Sequence, residues 1–449
     1  MKRYALILCL VVALPALLCA QQKPLFAEWD FVRQNKSTAT GGDFLQEGRY
    51  HATRGADAWI SFESIRSSAS PFLSKDSEPS CACTTVGDCW VVEMPVKELD
   101  KGALVDIVVP LQTLPNEESH RFVAEYRDGK QWRPIIPVGE DGANYATAPV
   151  KRYGQFWHSF RLEKPIKRGT IAVRLRQIDD EVERSFIARR TFHAQIICHP
   201  EVEVRDTTRV LFLGNSYTFY NTLPYIFKQM ALRAGHYTDC VVSVVGGYSM
   251  EQHRVLGPTI EKVEAGGYDY AVLQEQSYEL VFTDTEDDMG RMEQMGEMVA
   301  FVRQHNPKVQ PVISLTWGRK TGSNTLRKNA QLLVDKYPQF FGSYEAMQSR
   351  LNEMVALQSR RFDTKVALQG AAWQIVRRER PDLVLYTNDG SHPSYTGSYL
   401  AAAVTYLTLF PEPFGADSFD GFLAPEVAAY LRSVAERVVL KGEHSVPIK

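Results

Sequence analysis

The sequence predicts an α/β domain built on a parallel sheet covered on both faces, preceded by an all-β domain of the sandwich type. Three observations carry this. From about residue 205 onward, continuous apolar runs alternate with segments of helical spacing. Strands that are apolar throughout belong to parallel sheets buried on both sides. Between about 24 and 200, helical periodicity gives way to short alternating runs separated by polar and Gly/Pro clusters, the pattern of antiparallel sheets. The stretch from His199 to Thr208 is polar, contains Pro200 and divides the two patterns; at 449 residues the chain exceeds one ordinary core.

The first 20 residues read as a secretory signal. Lys2 and Arg3 precede an almost wholly apolar run from Tyr4 to Leu18, and Ala20 is a small residue at the expected cut before Gln21-Gln22. Lipidation at Cys19 fits less well, because Leu18 is bulky where a small residue is expected, so export to the periplasm or medium in soluble form is the expectation. The run is short for a membrane span and no later segment approaches one, so no integral membrane segment is expected after signal removal.

The all-β domain, 24–200, is read from runs such as Arg121 to Tyr126, the turn Asp128-Gly129 before Gln131-Trp132, Trp157 to Leu162, and Thr170 to Arg176. The spacing loosely resembles jelly-roll modules attached to exported carbohydrate-active enzymes. Trp29, Trp132 and Trp157 could stack on sugars; packing within the domain is the expected role, since aromatics dominate small sandwich cores.

In the second domain, 205–445, strands are predicted at Arg209 to Leu213, Val241 to Val245, Tyr270 to Leu273, Val309 to Leu315 and Lys365 to Leu368. Helical spacing covers Leu223 to Ala234, Met250 to Ala265, Asp287 to His305, Leu326 to Tyr337, Glu345 to Phe362, Ala371 to Glu379, Tyr395 to Phe410 and Pro425 to Val439. Ligands of parallel sheets bind at the C-terminal strand ends. There the first strand delivers Gly214-Asn215-Ser216-Tyr217, the second Gly246-Gly247-Tyr248-Ser249, the third Gln274-Glu275-Gln276-Ser277, and the fourth Trp317-Gly318. The loop Asp389-Gly390-Ser391-His392-Pro393 precedes a helix and can reach the same rim. A serine, a histidine and an acid three residues before that histidine are the parts of a nucleophilic hydrolase.

These blocks, in this order, resemble the SGNH/GDSL-type hydrolases over about 205 to 440. The resemblance implies a three-layer α/β/α flavodoxin-like fold. It also implies Ser216 as nucleophile, His392 as base, Asp389 as its partner, and an oxyanion hole from Ser216 and Gly247. The family's third block is Gly-x-Asn-Asp; here Gln274-Glu275-Gln276-Ser277 replaces it. A glutamine amide can donate the same hydrogen bond one methylene further out, so Gln276, with Gln274 as the alternative, is assigned the third oxyanion donor. Tyr217, Tyr248 and Trp317 are candidates to line the substrate pocket, with core packing an equal reading for Trp317. The implied reaction is acyl transfer through an acyl-enzyme, on an ester of a carbohydrate, and it requires no metal or organic cofactor. Two alternatives stay open: a glycan-binding protein that has lost turnover through the altered third block, and an acyltransferase.

Simpler roles compete for single residues. Ser216 could be a helix cap, with Asn221 or Thr222 better placed to start the Leu223 helix; Asp389 could be only a turn former; His253 and His305 have no evident chemical partner. Formal net charge is -2 with no basic block, which argues against nucleic acid as partner. Of seven cysteines, Cys9 and Cys19 lie in the signal; Cys81, Cys83 and Cys89 could hold one disulfide, and Cys240 in a Val-rich run reads as a small buried hydrophobe. Oligomeric state is not legible.

Overall fold

The computed structural model describes residues 207–448 apart from 277, 323–329, 417 and 422, and, before them, the strands between residues 25 and 199 with a few joining residues. The signal segment, Cys83 and the expected disulfide lie outside the described residues. The chain divides into two units, with the main division between Glu203 and Val204.

The first unit contains two extended sheets. One has the order Gly154–Arg161, Leu104–Leu111, Thr191–His199, Leu25–Asp30, Arg54–Gly55. The other has the order Gln131–Pro134, His120–Asp128, Gly169–Gln177, Cys89–Val96, Trp59–Glu63, Arg49–His51. Every register described in them is antiparallel, as the alternation predicts. Trp132 packs half-buried against Cys89, Val91 and Ala172, and the Arg174 guanidinium lies 4.4 Å over its ring. The ring is thus engaged in packing and in a cation–π contact. The side chains of Trp29 and Trp157 lie outside the described residues.

The second unit is a five-stranded parallel sheet wrapped in helices. Its strands are β1 (Thr207–Gly214), β2 (Tyr237–Val244), β3 (Tyr270–Leu273), β4 (Gln310–Ser314) and β5 (Lys365–Ala367). They lie in the order β2-β1-β3-β4-β5, with every register parallel. This is the flavodoxin-like doubly wound order, whose switch point lies between β1 and β3. Val210, Leu211, Phe212 and Leu213 of the central β1 are fully buried, which explains the unbroken apolar run.

The helices are α1 (Ser216–Phe219), α2 (Leu223–Arg233), α3 (Met250–Arg254), α4 (Gly257–Ala265), α5 (Arg291–His305), α6 (Ala330–Lys336), α7 (Pro338–Phe341), α8 (Tyr344–Phe362), α9 (Gln369–Glu379), α10 (Tyr395–Leu409) and α11 (Pro425–Val439). Four differ from expectation, one of them α7, which lies between the expected helices and opens on Pro338. The single helix expected over Met250 to Ala265 is two, because Pro258 sits in the first turn of α4 and extended Leu256 precedes it. The helix expected from Asp287 starts at Arg291: Gly290 takes φ 67°, and the Asp288 carboxylate accepts the N–H groups of Asp284 and Gly290 at 3.0 and 2.8 Å. Helix α1 carries no apolar repeat and was not predicted. Cys240 is partly buried on β2 with Sγ 3.7 Å from Thr238 Oγ1, and burial pushes its thiol up to about 12, which makes it a poor nucleophile.

Among the described residues no helix is long and apolar enough to cross a membrane.

Candidate active site

Three loops meet at the C-terminal ends of β1, β2 and β3, on the switch point where doubly wound sheets open a crevice. The first begins at Gly214. A Cβ at this position would stand 2.5 Å from Thr218 Oγ1 and 2.8 Å from Gln274 Oε1, so only glycine lets the turn close against β3. Asn215 is extended and caps α1, its Oδ1 accepting from Tyr217 N–H at 3.2 Å. Asn215 therefore does the capping, and Ser216 is free for other work at the first helical position. Asn215 Nδ2 also donates to Tyr248 O at 2.9 Å, tying this loop to the next.

The second loop turns at Val245–Tyr248, where Tyr248 N–H reaches Val245 O at 3.2 Å and Gly247 takes φ 76°. Among the described residues the N–H groups of Ser216 and Gly247 meet no acceptor. A capping box between Ser249 and Gln252 then starts α3. Buried His253 fixes the base of this region: its Nε2 bonds Gly214 O at 2.8 Å and its Nδ1 bonds Thr259 Oγ1 at 2.9 Å. Because a carbonyl only accepts, Nε2 carries the proton. Burial lowers the ring to about 4, so His253 is a neutral structural strut.

The third loop separates the two glutamines. Gln274 Oε1 accepts from Asn215 N–H at 3.0 Å and Thr218 Oγ1 at 2.8 Å, while its Nε2 donates to Glu275 O. Its Oε1 thus braces the Ser216 turn, and one of its two Nε2 hydrogens goes to Glu275 O, so Gln274 acts first as a brace. Gln276 differs: its Oε1 accepts from Tyr278 N–H at 3.2 Å, and among the described residues its Nε2 meets no acceptor.

Between the two glutamines Glu275 is 4% exposed, its carboxyl accepting from Gln276 N–H at 2.7 Å and Met250 N–H at 3.3 Å. Burial raises this carboxyl to about 7, against lowering by the two N–H groups and by Arg291. A carboxyl raised on folding stabilises the native state most below its unfolded value of 4.5, and that stability is lost as pH rises through about 7. From pH 5 to 8, wild type should therefore lose roughly 2 to 3 kcal/mol relative to Glu275→Gln in urea unfolding. Parallel pH profiles for the two proteins would show that Glu275 is already ionised in the fold.

The loop before α10 supplies the remaining groups. Ser216 Oγ lies 2.8 Å from His392 Nε2, and His392 Nδ1 is bonded to Asp389 Oδ2. Asp389 Oδ1 accepts from the N–H groups of Ser391 (2.8 Å) and His392 (2.9 Å) and from Thr387 Oγ1 (2.9 Å). Burial alone would raise the Asp389 carboxyl; the His392 ring and these N–H groups outweigh it and hold the carboxyl far below the usual range. Asp389 is thus more than a turn former. A serine bonded to an imidazole whose far nitrogen is held by a carboxylate can lose its proton as it attacks a carbonyl.

An aromatic column locks the histidine loop to the serine turn. Tyr217, Trp317 and Trp373 stack in parallel, with centroids 4.7 and 4.1 Å apart. Trp317 Nε1 donates to Ser391 O at 3.0 Å, and Tyr217 OH bonds Ser391 Oγ at 2.7 Å. Tyr217 and Trp317 are therefore buried supports, not pocket lining, at 3% and 0% exposure; of the three candidates only Tyr248 is partly exposed at the rim. Trp317→Ala should cost about 3 to 5 kcal/mol in denaturant unfolding. A loss below about 1 kcal/mol would mean that the column does not hold the site.

Sequence reasoning missed Asn215, Tyr220, Asn221 and Ser391. Ser391 and Asn215 lie inside the recognised blocks without a role of their own; Asn221 read only as a start for the Leu223 helix, and the partners that give Tyr220 and Asn221 their place lie more than 170 residues away.

No protein-family model and no curated protein matches the chain. Among solved structures it is similar to a DUF4886 family protein from Bacteroides uniformis ATCC 8492, at 19% identity over 54% of this chain and 100% of that one, with a TM-score of 0.45. It is similar to a carbohydrate esterase family 2 enzyme plus carbohydrate binding domain from Corynascus thermopiles (Myceliophthora fergusii), at 10% identity over 71% of this chain and 98% of that one, TM-score 0.34. A family two carbohydrate esterase from Cellvibrio japonicus is similar at 10% identity over 78% of this chain and 98% of that one, TM-score 0.29. All three scores fall below 0.5, so function is argued from the site's own geometry.

Proposed function

We propose that this protein is a serine esterase that cleaves acyl esters through a Ser216–His392–Asp389 triad and an acyl-enzyme intermediate. The observation that carries the reading is the chain of hydrogen bonds from Ser216 Oγ through His392 to Asp389, with Oγ to Nε2 at 2.8 Å. His392 takes the hydroxyl proton as Oγ bonds to the carbonyl carbon, then gives it to the leaving alcohol; water repeats the sequence to release the acid. The Ser216 and Gly247 N–H groups and the Gln276 amide are the oxyanion donors in this reading.

The substrate class is an acyl ester on a carbohydrate, an O-acetyl group being the simplest case. The signal-like N-terminus and the attached antiparallel β unit support an exported enzyme acting on glycans. The test is acetate release from a panel of O-acetylated polysaccharides, with Ser216→Ala as control. Acetate released by wild type and not by the variant is expected. Equal release by both, or none from any acetylated glycan, overturns the assignment.

A further inference from the structure

Behind His392, on the chain that continues from the Ser216 helix, stands a second set of contacts. The Tyr220 ring lies flat against the imidazole, with centroids 4.4 Å apart and planes within 14°. The next two residues, Asn221 and Thr222, both take left-handed backbone, at φ 54° and 55°. Asparagine tolerates this region; a β-branched threonine in it is strained, and two such residues in succession persist only where the surroundings over-determine them. What holds them is visible. Asn221 Nδ2 donates to Pro393 O at 3.0 Å and to Ser398 Oγ at 2.9 Å, and Ser398 Oγ donates to Tyr220 O at 3.1 Å. Thr222 Oγ1 bonds back to Asn221 O at 2.6 Å instead of capping α2. The kink therefore turns one residue's ring under His392 and the next residue's amide onto the carbonyl that follows it.

We propose that Tyr220 and Asn221 are positioning residues for His392, the tyrosine face backing the imidazole and the asparagine amide pinning the loop that carries it. This rests on the esterase reading above. While Ser216 Oγ bonds to the carbonyl carbon, its proton passes to His392 Nε2 and the ring becomes a cation. An aromatic face attracts that cation more than the neutral ring. The contact is thus stronger in the transition state than in the ground state and acts on kcat rather than KM. The strained dipeptide keeps the ring from drifting off the imidazole between turnovers.

The test uses the full mature chain with p-nitrophenyl acetate and a fluorophosphonate probe. Tyr220→Leu is expected to lower kcat roughly threefold to thirtyfold, with KM within about twofold. Tyr220→Phe keeps the aromatic face and should stay within about threefold of wild type. Asn221→Gly accepts the left-handed backbone without strain and folds, yet removes the amide; its kcat and its probe-labelling rate should both fall several-fold. If Tyr220→Leu or Asn221→Gly folds with wild-type kcat and labelling rate, the inference is overturned. If Tyr220→Leu does not fold, Asn221→Gly decides alone. Wild type that neither cleaves the ester nor labels at Ser216 would instead refute the esterase reading itself, a separate outcome.

Discussion

Ser216→Ala is expected to lower ester turnover by roughly 10⁴- to 10⁶-fold while leaving the fold intact. The size follows from what the hydroxyl does: without Oγ there is no acyl-enzyme, and only binding and oxyanion stabilisation of a water attack remain. The absence of a structural cost follows from the neighbours. Asn215 caps α1, and the Oγ bond to His392 is the one hydrogen bond recorded for the Ser216 side chain among the described residues. Alanine is a good helix former at this position, so the urea midpoint should shift by less than about 0.5 kcal/mol equivalent. Turnover and stability measured on the same preparation check both halves. A variant retaining more than a tenth of wild-type turnover would remove Ser216 from the mechanism.

Asp389→Asn should cost about 10⁴-fold in kcat. The carboxylate accepts at both oxygens: Oδ2 from His392 Nδ1, and Oδ1 from two backbone N–H groups and Thr387. The three donors at Oδ1 force an asparagine to keep its carbonyl oxygen there, which turns its NH₂ toward His392 Nδ1. The ring must then accept at Nδ1 and carry its proton on Nε2, the nitrogen that has to receive the Ser216 proton. Loop geometry survives while the tautomer is wrong. The check is kcat together with near-UV spectra; full activity with native spectra would make Asp389 a loop residue only.

How much of this was legible in the sequence depended on whether the signal was local. The sheet strands were legible because β1, β3 and β4 run through unbroken buried stretches from Val210, Ala271 and Pro311 to their C-terminal ends, and β3 is found at the predicted residues Tyr270–Leu273. The serine and the Asp-x-x-His loop were legible as short motifs whose chain order placed them on one rim. What the sequence could not say was how side chains divide their hydrogen bonds. Gln274 and Gln276 look equivalent two residues apart, yet Gln274 braces Asn215 and Thr218 through Oε1, because only its side chain faces β1 across the switch point. Tyr217 reads as lining and Trp317 equally as lining or core; stacking on Trp373 and bonding to Ser391 put both inside. The Tyr220–Asn221 kink has no composition signature, since its cause is a contact with the loop around Pro393.

The central claim is that Ser216 is an activated nucleophile. Its most direct test is labelling of the folded protein with a fluorophosphonate, followed by intact-mass measurement and peptide mapping. One phosphonyl group on Ser216 is predicted, with labelling abolished in Ser216→Ala and slowed by orders of magnitude in His392→Ala. Folded wild-type protein that takes no label, or takes it on another serine at equal rate, would contradict the account.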